Sequence, residues 1–122
     1  MRKDVSAVEL DVERKLDVTW PSAADRMIAR DVVMTYGSAS REREGERVRL
    51  AAIKLSNGSL DELRAMIAAA KSDYRDVLMW AEYPEESKVT WSVRSGLSET
   101  ERRELAAIRA RDRAQYDEWR KR

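Results

Sequence analysis

The residues best spaced for chemistry lie near the end of the chain, where Arg102, Arg109, Arg113 and Arg120 recur at intervals of seven, four and seven with Ala106 and Tyr116 between them. On a helix these positions form one line. Guanidinium forks match phosphate oxygens, and a tyrosine among them offers a ring on which a base can stack, so the line is a candidate phosphate or nucleic-acid contact. Its field is interrupted. From Glu99 to Arg122 there are eight basic and six acidic residues, and Glu99 with Arg103, Arg113 with Asp117, and Glu118 with Arg122 are i, i+4 pairs that neutralise each other. Affinity for nucleic acid comes largely from phosphate neutralisation, which ranks nucleic acid below protein as the partner of this segment.

The nearest approach to a carboxylate centre is Asp73 and Asp76, three residues apart beside Tyr74 and Arg75, with Glu82 further on. Two carboxylates on one helical face can hold Mg²⁺ or share acid and base roles. A third converging group is not recognisable, and a solvated face with local ion pairs is the preferred reading. Elsewhere the catalytic vocabulary is short: the 122 residues include no histidine and no cysteine. That removes imidazole acid–base work, thiolate nucleophiles, disulfides and Cys/His zinc sites. No catalytic, cofactor-binding or metal-binding residue is assigned, and the chain reads as non-enzymatic.

Aromatic and apolar side chains supply the other candidate surface. Leu105, Ile108, Tyr116 and Trp119 make a thin stripe on the same C-terminal segment, broken at Asp112, and Trp91 sits in the connection before it. Trp and Tyr are enriched at interaction hot spots, so these five residues are the candidate contact with a protein partner or with a second copy. Trp80, at the end of a well-patterned helix, is expected to close the core instead.

The elements that must position these residues are helices. A hydrophobic share of 43% against 39% charged residues suits long solvated helical faces around one core, and predicts a single helical domain spanning 1–122. A central antiparallel hairpin is the clearest part. Helix 41–56 carries Val48, Ala51, Ala52 and Leu55 on one face, with Leu50 and Ile53 beside it. The turn Ser56-Asn57-Gly58 ends it, and the capping box Ser59-x-x-Glu62 opens helix 59–82, whose apolar residues keep helical spacing until Pro84. The acidic start of that second helix, Asp61-Glu62, argues against a DNA-reading helix-turn-helix.

Upstream, helices are expected over 4–17 and, from Ser22, over 22–37, with Ala24, Met27, Ile28, Val32 and Tyr36 as the buried stripe of the latter. Downstream, Ser98-x-x-Glu101 opens an exposed helix that protrudes over 98–122. Residues 16–20 and 89–93 alternate with period two, as a small ribbon does, but a helix through Leu16 and an extended connection over 89–93 fit better, since a lone ribbon is marginal. The fold class is therefore an all-α bundle of four to five helices.

Residues 46–86 resemble a group of small uncharacterised bacterial proteins, through the block Glu46-Arg47-Val48-Arg49-Leu50-Ala51-Ala52-Ile53-Lys54-Leu55 and, after the glycine turn, Asp73-Tyr74-Arg75-Asp76-Val77-Leu78-Met79-Trp80-Ala81-Glu82-Tyr83-Pro84. The resemblance covers about a third of the chain and implies a bacterial, soluble, helical protein with no activity attached. A net charge of +1 exerts no general pull on nucleic acid or anionic lipid. No apolar run is long enough for a membrane span or a signal peptide, so the expected compartment is the cytoplasm. The leading expectation is a small protein-interaction protein, and the alternative is a nucleic-acid or phosphate-binding module using the arginine line.

Overall fold

The computed structural model describes residues 7–39, 42–89 and 96–122, and the fold is all-α. Seven helices run through the described residues: α1 (Ala7–Thr19), α2 (Ala23–Met34), α3 (Gly45–Ser56), α4 (Leu60–Ser72), α5 (Tyr74–Glu82), α6 (Pro84–Ser87) and α7 (Glu99–Lys121). No strand occurs among them. Residues 16–19 complete α1, and 90–93 lie outside the described residues together with Trp91. The chain divides into two compact units, one ending at Leu78 and the other Met79–Arg122.

The first unit is a ring of four helices, with α3 packed between α1 and α4, and α2 closing the ring against α4 and α1. Helix α3 is the most enclosed. Val48, Leu50, Ala51, Ala52 and Ile53 are all buried, because a helix with neighbours on two sides needs apolar residues around most of its girth. The hairpin turn forms as its sequence dictates. Asn57 and Gly58 take left-handed conformations, and the Ser59 hydroxyl accepts the N–H of Glu62 at 3.2 Å. Trp20 locks this turn from the end of α1: its ring is buried, and Nε1 donates to the Gly58 carbonyl at 3.2 Å.

Four expectations need correction. The single helix over 59–82 is broken at Asp73, whose backbone is extended and whose carboxylate accepts the N–H of Arg75 at 3.1 Å. An aspartate that caps a new helix competes with continuing the old one, and this one wins at Ser72-Asp73. Pro84 does not merely stop the chain; it occupies the first position of α6, where a missing N–H costs nothing.

The buried stripe of α2 is Ala29 and Val33, followed by Tyr36, while Met27 is 64% exposed and Ile28 and Ala24 also face solvent. The inward face of α2 is held by Ala29, Val33 and Tyr36, all fully buried, and Arg26 and Arg30 lie beside it towards α1, where Arg26 pairs with Asp17 at 3.5 Å and Arg30 with Glu13. Trp80, expected in the core, is 41% exposed, while its neighbours Val77, Leu78, Ala81 and Glu82 are buried.

Candidate functional site

Helix α7 begins as its sequence predicts. The Ser98 hydroxyl accepts the N–H of Glu101, and the Glu101 carboxylate accepts the N–H of Ser98, both at 3.0 Å, a complete capping box. Twenty-three residues then run unbroken to Lys121, and of these only Asp112 and Tyr116 are buried. At 1.5 Å per residue the helix is about 34 Å long, and α6, which packs against it, is only four residues.

A polar seam joins the two. Arg109 grips Glu86 with both arms, Nε to Oε1 at 2.9 Å and Nη2 to Oε2 at 2.7 Å. One turn on, Arg113 reaches Glu82 at 3.5 Å and Asp117 at 3.1 Å. Between the two arginines, Asp112 turns inward and accepts the backbone N–H groups of Glu85 at 3.3 Å and Glu86 at 2.9 Å. The four-residue α6 has no side-chain cap of its own at Tyr83, so a carboxylate from α7 satisfies donors that would otherwise lack partners. The Glu86 carboxylate also holds the Arg109 guanidinium above the ordinary arginine range, through its hydrogen bonds first and its charge second.

The arginine line predicted from the sequence is real as geometry but divided in its contacts. Arg109 and Arg113 are engaged by carboxylates of the same unit, while Arg102 at the N-terminal end is exposed and Arg120 at the other end is half-buried. Tyr116, expected on an interaction surface, is buried; its ring lies 5.5 Å from that of Trp119 and 5.5 Å from the Arg113 guanidinium carbon. Leu105, Ile108 and Trp119 are half-buried on either side of this centre. The local pairs Glu99 with Arg103, at 2.8 Å, and Arg113 with Asp117 form as expected.

Reading the sequence missed the seam, although a signal was present. Arg109 and Arg113 are four apart on one helical face, and Glu82 and Glu86 recur at the same interval across the α5–α6 junction, so the two segments carry opposite charges at matching spacing. Asp112 looked like a break in an apolar stripe and is instead the centre of the contact.

The other carboxylates are occupied separately. Asp73 accepts Arg75 bidentately, at 3.0 and 3.1 Å, beside an open depression of about 350 Å³ lined by Ala70, Lys71 and Tyr74 among others. Among the described residues no three acidic side chains converge as metal ligands do, and no helix is long and apolar enough to cross a membrane. Comparison with family models, with curated proteins and with solved structures finds no match to this chain.

Proposed function

We propose that this chain is a non-enzymatic protein-interaction protein that works through α7. One observation carries the reading: a 23-residue helix is fixed by a buried cap and two charge pairs on one side, yet only Asp112 and Tyr116 along it are buried. Such a helix is rigid and oriented while most of its surface stays available, and a preformed surface binds without the entropy loss of ordering. Leu105, Ile108 and Trp119, half-buried beside the seam, are the apolar groups within reach of a partner.

The phosphate reading is weaker on the same geometry. Two of its four guanidiniums already face carboxylates, and a phosphate would have to displace Glu86 from a bidentate contact. The test is site-specific photo-crosslinking in cells, with the reactive group placed at the exposed positions Ala107 or Ala114 on α7 and at Ala65 or Ala68 on α4 as reference. Discrete protein adducts from α7 above the α4 background are expected; adducts equal at both helices, or none from α7, would overturn the proposal.

A further inference from the structure

The geometry points to Met27 and Met34 as a paired oxidation site on α2, where hydrogen peroxide sets two sulfoxide oxygens beside Arg30 and so draws its guanidinium from Glu13 of α1. In a chain with five methionines and no cysteine, the thioethers are the softest nucleophiles, and access to the oxidant decides which of them react. Met27 is 64% and Met34 is 54% exposed, whereas Met66 and Met79 are half-buried. Both exposed thioethers stand on one helix, off its packed side. Ala29, Val33 and Tyr36 make the buried side of this segment, so a change at either sulfur leaves the core untouched.

Arg30 makes this pair more than two accessible side chains. It stands three residues after Met27 and four before Met34, so the three share a sector of about 60° around a helix of 3.6 residues per turn. Helical side chains lean towards the N-terminus, which brings Met34 over Arg30 and Arg30 over Met27. The guanidinium donates from Nη2 to Oε1 of Glu13. With the neighbouring pair of Arg26 and Asp17, at 3.5 Å, this bond ties α2 to α1. Glu13 holds Arg30 above the ordinary arginine range, through its hydrogen bond first and its charge second.

In the reduced state each sulfur is a weak acceptor and leaves the guanidinium to Glu13. Attack of the thioether on peroxide forms an S–O bond and breaks the O–O bond; the sulfur loses two electrons, and the second oxygen leaves as water. An apolar side chain thereby becomes a polar one with a strong acceptor oxygen. The Arg30 side chain is half-exposed and has several N–H donors, so the two new oxygens compete with Glu13 for it. The chain has no thiol of its own to reverse the step. Reversal falls to sulfoxide reductases, one for each epimer, using an external dithiol.

Trypsin places Met27, Met34, Met66 and Met79 in separate peptides, beginning at Met27, Asp31, Ala65 and Asp76, so mass spectrometry of the full-length chain in dilute hydrogen peroxide reads each site. Met27 and Met34 should oxidise at least about fivefold faster than Met66 and Met79, with helix content by circular dichroism unchanged. The Arg30 Nε–H resonance, assigned by its absence in Arg30→Lys, should move on Glu13→Gln in the reduced chain and hardly move in the oxidised one. Both sulfoxide reductases with dithiothreitol should restore the original spectrum. The double variant Met27→Leu, Met34→Leu should keep its Arg30 resonance in place when peroxide is added. One common rate for these four methionines, loss of helix content once Met27 and Met34 are oxidised, or an Arg30 resonance equally sensitive to Glu13→Gln in both states would overturn the proposal. So would a peroxide response of Arg30 in the double leucine variant.

Discussion

The Asp112 side chain accepts the backbone N–H of Glu86 at 2.9 Å from 26 residues further along the chain. A capping contact is normally local; here it is tertiary, so the short helix α6 depends on α7 for the end that it cannot cap itself. Asp112→Ala removes both acceptors and leaves the buried N–H of Glu86 without a partner, at an expected cost of about 2–3 kcal/mol. Asp112→Asn keeps one carbonyl oxygen and should cost less. Urea midpoints compared at constant slope check the order, alanine below asparagine below wild type. Equal midpoints for all three would mean that the tertiary cap contributes nothing.

The charge pairs of the seam are asymmetric in burial. The Glu86 side chain is 7% exposed and that of its partner Arg109 is 57% exposed, so the carboxylate is the costlier group to leave alone. Arg109→Met strands a buried anion, whereas Glu86→Gln leaves a guanidinium that water can solvate. We expect the arginine variant to lose about 1–3 kcal/mol and the glutamine variant clearly less. Combining Glu86→Met with Arg109→Met should recover part of the loss, since neither charge is then buried. Thermal or urea unfolding of the three variants reads this out, and an Arg109→Met no worse than Glu86→Gln would contradict it.

Most short-range signals in the sequence hold, the break at Asp73 excepted, while signals that need a distant neighbour do not. The Ser59 and Ser98 caps, the glycine turn at Gly58, and the pair of Glu99 with Arg103 are each decided within four residues and form as expected, with Asn57 taking a left-handed conformation as well. The apolar types of Met27 and Ile28 do not predict the burial of α2, because the tertiary neighbours select the face of Ala29, Val33 and Tyr36. Trp80 failed for a related reason: on α5 the inward face is Val77, Leu78 and Ala81, and a tryptophan one position off that face stays out regardless of its size. For α7 the apolar stripe was a poor guide, because its contact with α6 is made by carboxylates and arginines whose partners are more than twenty residues away in sequence.

Two half-buried carboxylates should make stability depend on pH. Hydrogen bonds from the backbone N–H of Gly37, then of Ala39, hold the Glu42 carboxyl below its ordinary range, and the Arg75 fork does the same for Asp73. A carboxyl with a lower pKa in the folded state binds fewer protons there than in the unfolded chain. Its contribution is therefore present above the unfolded values, about 4.3 for Glu and 3.9 for Asp, and lost as pH falls through the lower folded values. Replacing Glu42 by Gln and Asp73 by Asn should lower stability at neutral pH and flatten its decline below about pH 4. Identical pH profiles for wild type and the double variant would show that neither bond is maintained in solution.

Gly37 and Gly96 both have positive φ, at 107° and 73°, but their surroundings differ. A Cβ on Gly37 would lie 2.8 Å from Nη2 of Arg49, a nitrogen that donates to the Tyr36 carbonyl at 2.6 Å while Nε donates to the Val33 carbonyl at 3.2 Å. Arg49 thus closes the C-terminal end of α2 from α3, where helix carbonyls lack internal partners. A methyl group there would add displacement of that fork to backbone strain. A Cβ on Gly96 would meet nothing within 4 Å, so only the backbone term applies. We expect Gly37→Ala to cost about 2–3 kcal/mol and Gly96→Ala about 1 kcal/mol. Arg49→Met, which leaves the Tyr36 and Val33 carbonyls without their donor, should shrink the additional penalty of Gly37→Ala in a double-mutant cycle. Unfolding free energies of the four chains in that cycle decide the matter: purely additive losses would mean that Gly37 is required for its φ alone, and that space beside the Arg49 fork is irrelevant.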